Sequence, residues 1–327
     1  ALLRLLKSSR QKEHSLRGNT DRGGRTVSRK IVSLNGLWNY EVNGKSMGYK
    51  QVPFSALCVG RSVCETEFVR PEGKRCFLCF EGITYAAEVF INGHCLGKML
   101  AYSFYRFDVA ALLNEKHNVL RVEVEDMNLP FGPSEGWENY GGIIRDVYLL
   151  VTDDVMIEDV IWRTEVEADQ SAAQCTVEVE LNGGEGNVKV TLHDHFGRPV
   201  FCTRQSSKAG KAILRFGLDN PQLWSPDMPC LYSLTVGVGT DEVTERVGIK
   251  DFRAVGQRFF LNGQPLFLKG VCRHDLYGDV GHTIKREQAE RDMRLIKATG
   301  CNFVRLVHYP HDRQILELAD EIGLLVS

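Results

Sequence analysis

Asn302-Phe303-Val304-Arg305-Leu306-Val307-His308-Tyr309-Pro310, read with the segments on either side of it, decides how the C-terminal part of this chain folds. Apart from Asn302 at its start and Arg305, apolar residues fill both alternating positions of 302–307, the pattern of a parallel strand covered on two faces. Upstream, Ala289, Met293 and Ile296 fall at i, i+4 and i+7 and Gly300 follows. Residues 285–299 therefore read as an amphipathic helix with a glycine stop. Downstream, Asp312 stands where it caps a second helix, with Ile315, Leu318, Ala319 and Ile322 on its inner face and Gly323 at its end. Leu324-Leu325-Val326 opens another strand, and Leu268-Lys269-Gly270-Val271 supplies an earlier one. Strand, helix, strand, helix, strand is the opening of an α/β fold.

Everything before residue 256 has a different rhythm. Asn43-Gly44 and Asn92-Gly93 are hairpin signals, since a type I′ turn needs positive φ at both central residues, and just past the boundary Phe259–Leu268 is a hairpin turning at Asn262-Gly263. In 31–152, short apolar runs alternate with turns. Asn118–Glu125 has Val122 and Val124 on one face and Arg121, Glu123 and Glu125 on the other, and no helix-period stretch of useful length occurs. This is an antiparallel sandwich or jelly roll. Residues 153–255 offer five strand candidates: Ala173–Leu181, Asn187–Leu192, Lys211–Gly217, Leu231–Gly237 and Glu242–Ile249. The length suits an immunoglobulin-like sandwich of about seven strands. Residues 1–30 hold nine Lys or Arg against Glu13 and Asp21, and read as a flexible basic arm.

The 327 residues carry 40 Lys and Arg against 42 Asp and Glu, a net charge of −2 that argues against an electrostatic nucleic-acid binder. No apolar run reaches the roughly 20 residues of a membrane span. The ten cysteines are scattered without framework spacing, which suggests buried thiols in a reduced, cytoplasmic compartment. Cys76 and Cys79 sit in an apolar strand-like run, so their thiols point to opposite faces, and no second pair completes a metal site. Neither metal nor cofactor is expected in this chain. His193-Asp194-His195 puts two imidazoles on one strand face with no third ligand nearby, so a solvated strand is preferred there.

Several motifs, taken in order, resemble glycoside hydrolase family 2, which includes β-galactosidases, β-glucuronidases and β-mannosidases. They are Leu34-Asn35-Gly36-Leu37-Trp38, the Tyr140–Leu149 run with its Gly141-Gly142-Ile143-Ile144-Arg145-Asp146 core, Asn220–Pro226, Asn262-Gly263-Gln264-Pro265, Lys269–Asp275, and the Asn302–Pro310 stretch. The resemblance implies a jelly roll (31–152), an immunoglobulin-like sandwich (153–255) and the start of a (β/α)8 TIM barrel (256–327). It implies a retaining exo-β-glycosidase, with β-galactosidase the first reading and β-glucuronidase or β-mannosidase next; a non-catalytic carbohydrate-binding or scaffold module is the alternative, since fold does not fix function. The implied partners are a β-linked glycoside, a C-terminal barrel half and a second copy of the chain, without nucleic acid or membrane. A full barrel takes about 250 residues, and 256–327 provides 72. By resemblance, the acid/base and nucleophile glutamates belong to the fourth and seventh barrel strands, so neither is expected within this chain.

The same resemblance makes His308 a contact for sugar hydroxyls, with Tyr309 beside it, and Arg305 a cation close to the nucleophile carboxylate. Without that partner, Arg305 is expected to be solvated or mispaired. Asn302 is read as support for the strand or its loop. Arg273, His274 and Asp275 follow the first barrel strand, on the face where barrel enzymes carry their chemistry, and are read as shaping the pocket through hydrogen bonds. An ordinary polar loop is the plain alternative for these three, and a structural histidine for His308. The sugar-contacting Asp of some members falls at Gly136, with Glu135 or Glu138 the candidate in its place. Arg145-Asp146 is read as a structural pair at the sandwich exit. Tyr102, Phe104, Tyr105, Trp137 and Tyr140 are read as core aromatics, with a sugar-stacking platform as the alternative.

Overall fold

The computed structural model describes residues 29–56, 60–125 and 140–327. The basic segment up to residue 28, Glu135 and Trp137 lie outside the described residues.

The first unit packs a six-stranded sheet against a four-stranded one. All three Asn-Gly turns have positive φ at both residues, as at Asn43 (48°) and Gly44 (78°). Leu120, Val122 and Val124 point from the strand Asn118–Glu125 into the core. The strand Arg75–Phe80 is buried on both faces: Cys76, Leu78 and Phe80 enter the main core, whereas Phe77 and Cys79 meet Tyr148, Leu150 and Met156 on the other side. That second face carries the junction with the next unit.

The last two residues of the basic segment are not arm. Lys30 opens the strand Lys30–Ser33, which pairs with Val147–Thr152. The Arg29 guanidinium is buried, donating from Nε and Nη2 to the two Asp241 carboxylate oxygens at 2.8 and 2.9 Å and from Nη2 to the Ile157 carbonyl at 2.6 Å. A charge with so full a set of partners compensates its own desolvation and fixes the chain there.

The second unit is a sandwich of a three-stranded and a four-stranded sheet around a Val- and Leu-rich core. It adds two strands to those legible in the sequence. Met156–Val166 carries a register shift between Ile157 and Asp159, and this bulge breaks the period-two pattern. Pro199–Ser206 is a mostly exposed edge strand that starts on a proline. The strand before it ends at His193, and buried Asp194 turns the chain by accepting from the Phe196 and Arg198 amides. The two histidines are thus not on one strand face.

A small antiparallel sheet (252–266) leads to three parallel strands, Gly270–Arg273, Phe303–Leu306 and Leu325–Val326, in that spatial order. Helix α1 (Arg286–Ala298) and helix α2 (Arg313–Ile322) pack on one face of this sheet through Ala289, Met293, Ile315, Leu318 and Ala319. The central strand is consequently not covered on two faces: Val304 is buried toward the helices and Arg305 is exposed on the opposite face. The second sandwich braces the helices. Trp224 donates to the Asp320 carbonyl (2.8 Å), Lys297 donates to the Pro226 and Gly323 carbonyls, and Arg313 donates to both oxygens of Glu245. Among the described residues, no helix is long and apolar enough to cross a membrane.

Candidate active site

Side chains that follow parallel strands emerge at one end of the sheet, where successive loops converge. Arg273, His274 and Asp275 leave the first strand there, and His308 and Tyr309 leave the second. The structure brings these five together. The His274 and His308 rings meet edge to face at 5.5 Å, His274 lies 6.0 Å from the Tyr309 ring, and the Tyr309 hydroxyl accepts from the Asp275 amide at 3.1 Å. His308 is exposed and Tyr309 buried, so the imidazole is presented outward from a packed neighbour.

The same two loops carry a buried charged cluster. Buried Arg273 donates to Asp275 (2.9 Å) and, on α1, to Asp292 (3.0 Å). Burial acts to raise the Asp275 carboxyl, but Arg145 and Arg273 outweigh it and hold it below the ordinary carboxylate value. Asp312 goes the other way, raised by burial against the opposing pull of Arg145. Two further imidazoles are built in as neutral rings. His282 has Nδ1 2.8 Å from the Asp275 carbonyl, so that nitrogen carries the proton, leaving Nε2 to accept from the Tyr102 hydroxyl at 3.3 Å. His311 likewise donates from Nε2 to the Val307 carbonyl and faces the Arg273 guanidinium at 3.5 Å with Nδ1. Burial lowers both, His311 to about 4. Burial together with His308 lowers His274, and burial pushes the Tyr309 hydroxyl up to about 12.

The jelly roll closes one side of this cluster. Tyr102 stacks on Tyr309 with ring centres 4.1 Å apart and an interplanar angle of 15°. Tyr85 and Ile144 join them in a buried apolar knot. Tyr102 and Tyr140 are therefore packing residues at a junction, not an open stacking platform. Arg145 turns away from Asp146, which instead accepts from Asn35 at 2.8 Å. Its guanidinium reaches the barrel side, donating to the Pro310 carbonyl at 2.8 Å and lying 3.7 Å from Asp312 and 3.9 Å from Asp275. Neither Arg145 nor His282 stands out as a site residue in the sequence. The signals for Arg145 are its place in the Gly141–Asp146 motif and a charge set straight after the buried run Gly142-Ile143-Ile144; His282, in a loop, has none.

Arg305 and Asn302 stand apart from the cluster. Arg305 approaches the Cys272 thiol at 3.8 Å across the open face of the sheet. The Asn302 side chain accepts from the Lys269 amide (2.8 Å) and donates to the Phe267 carbonyl (2.9 Å), tying the first strand to the second.

Three consecutive family profiles match: the glycosyl hydrolase 2 galactose-binding domain-like unit over 59–130, glycosyl hydrolases family 2 over 155–250, and the family 2 TIM barrel domain over 252–327. The chain belongs to glycoside hydrolase family 2. It comprises the family's N-terminal β units and the start of its barrel. A β-glucuronidase of Bacteroides fragilis is 32% identical over 285 residues, covering 79% of this chain and 41% of its own length. A β-galactosidase of Thermoanaerobacter pseudethanolicus is 31% identical over 277 residues, covering 79% and 37%. The chain thus spans about two fifths of the length of these curated relatives. Among solved structures, a putative β-galactosidase from Bacteroides fragilis superposes with a TM-score of 0.82 at 24% identity, over 92% of this chain and 53% of that one. A Bacteroides uniformis β-glucuronidase gives 0.81 at 23%, over 91% and 42%. At these identities the superpositions establish the fold.

Proposed function

We propose that this family 2 chain forms the sandwich-and-first-strands part of a retaining exo-β-glycosidase, with a β-galactoside as the first substrate reading and a β-glucuronide as the second. The observation that carries it is the convergence of His274, His308 and Tyr309 with the Arg273–Asp275 pair at the C-terminal end of the parallel strands. Exposed His308 suits contact with sugar hydroxyls, and Arg273 and Asp275 hold the first loop beside it. A retaining mechanism needs two carboxylates about 5–5.5 Å apart, one protonating the glycosidic oxygen and one attacking the anomeric carbon. In this reading both are glutamates on later barrel strands, which pack against the open face bearing Arg305. Arg305 then approaches the nucleophile and helps keep it ionised. Cys64, Cys76, Cys79 and Cys175 are buried thiols, which suits a reducing compartment.

The test is hydrolysis of 4-nitrophenyl β-D-galactoside and β-D-glucuronide by the chain mixed with a polypeptide carrying the remaining barrel strands. Turnover lowered at least about tenfold by His308→Ala supports the reading. Turnover of either glycoside that His308→Ala leaves unchanged removes His308 from it, and no turnover of either removes the substrate classes.

A further inference from the structure

We propose that Arg145 is a positioning residue: reaching out of the jelly roll, it sets the orientation in which the barrel presents His308. The inference rests on the glycosidase reading for why that orientation matters. The positioning itself stands on geometry. His308, Tyr309 and Pro310 form the turn after the second parallel strand, and one flank of that turn is made by the other unit. Arg145 is 6% exposed. One of its terminal nitrogens donates to the Pro310 carbonyl at 2.8 Å, and the other to the Tyr102 carbonyl at 3.1 Å. The same Tyr102 lays its ring on Tyr309. Residues 309 and 310 are thus gripped by a ring and a guanidinium that share one backbone anchor.

Asp275 and Asp312, 3.9 and 3.7 Å away, supply the counter-charge that makes burying this cation tolerable, and both flank the same turn. The planar fork of arginine reaches two carbonyls at once; a lysine ammonium at this depth has no such pair of diverging donors. Gly82 leaves room for the stem: a Cβ there would stand 3.1 Å from Arg145 Cδ and 3.2 Å from its Nη1. The jelly roll therefore takes part in forming the barrel mouth.

The test uses the 327-residue chain with Arg145→Lys and, as a variant that leaves the guanidinium in place and pushes it, Gly82→Ala. The readouts are the His308 ring resonances by NMR and hydrogen exchange at the Val307 amide, which donates to the Arg273 carbonyl at 3.1 Å. Exchange at Val122, deep in the jelly-roll core, is the control. Losing one charge-assisted hydrogen bond should speed opening at Val307 by about tenfold or more. Arg145→Lys is expected to show that acceleration and shifted His308 resonances with Val122 unchanged, and Gly82→Ala the same changes to a lesser degree. Methylguanidinium should restore the resonances in Arg145→Ala, where methylammonium should not. Unaltered His308 resonances in both Arg145→Lys and Gly82→Ala would overturn the proposal, as would equal acceleration at Val307 and Val122. If Arg145→Lys does not fold, Gly82→Ala decides. A chain in which His308 follows Arg145 but His308→Ala leaves glycoside turnover unchanged loses the sugar contact and keeps the positioning.

Discussion

Arg29 and Asp241 join the first strand of the jelly roll to the second sandwich through a side-chain pair sealed from water. Asp241 also accepts from the Ile157 amide at 2.7 Å, so its removal strands both a guanidinium and a backbone donor. Asp241→Ala should therefore cost about 3–5 kcal/mol, read from urea midpoints, whereas Lys74→Ala should cost little, because its partners Asp153 and Asp154 are exposed. Residue chemistry also sets a pH response at the barrel mouth. His282 and His311 are held below the free-histidine value of about 6.5. The unfolded chain then binds more protons than the folded one as pH drops through this window. Stability is full above about pH 6.5 and declines as pH falls toward about 4, the folded value for His311. Its share is on the order of 3 kcal/mol at most. Asp275, held low by its arginines, adds a loss of the same sign at more acid pH, while Asp312, raised by burial, opposes it. Comparing His311→Gln with the parent between pH 7 and 4 isolates the imidazole: the variant should show the shallower slope, and parallel slopes would remove His311 as the cause.

At the level of elements, most of what the chain builds is written locally. The three Asn-Gly turns, the caps at Asp312 and Gly323, and the inward faces of α1 and α2 all follow from short-range rules, and each is present. The Cys76/Cys79 split across two cores follows from strand alternation alone. What was not legible depends on distant partners. A bulge hid the strand Met156–Val166, and nothing near Arg145 in sequence reveals that its guanidinium meets Pro310, 165 positions away. The site divides in the same way. His274, Asp275 and His308 are found by their place after strands, whereas His282 and Tyr102 enter only because two folded units meet. Gly323 is both kinds of residue. It ends α2 in the left-handed region at φ 83°, as expected from the helix pattern. A Cβ there would also stand 2.2 Å from the Pro226 carbonyl oxygen of the second sandwich, a contact no local rule reveals. Gly323→Ala should consequently cost more than the 1–2 kcal/mol or so of an ordinary left-handed alanine. Gly300→Ala, at the same φ with open space around it, should cost only that. Equal losses in the two variants, measured by thermal unfolding, would show that the interface yields.

For the whole molecule, the three units differ in how completely they enclose their apolar groups. Among the described residues, each sandwich encloses a buried apolar core, whereas the parallel sheet has helices on one face only. On the proposal that the reacting carboxylates lie on later strands, the 327-residue chain by itself is expected to give no turnover of either 4-nitrophenyl glycoside. Turnover abolished by a covalent inactivator of retaining glycosidases would contradict this. The same geometry governs its behaviour in solution. Among the described residues, the strand Gly270–Arg273 pairs on one side only, with Phe303–Leu306. Just before it Phe267 is 79% exposed, and within it Val271 is 43% exposed. An unpaired edge beside apolar side chains is a template for pairing with another chain. Concentration-dependent association is therefore expected, together with binding of an apolar dye, and Val271→Lys should reduce both by placing a charge on the edge. The core behind that strand is built from Val304, Met293 and Leu318 and does not use Val271, so the unfolding midpoint should be little changed. Sedimentation across a concentration series reads the result. A parent chain that stays monomeric throughout, or a Val271→Lys chain that associates equally well, would show that this edge is not the surface through which copies meet.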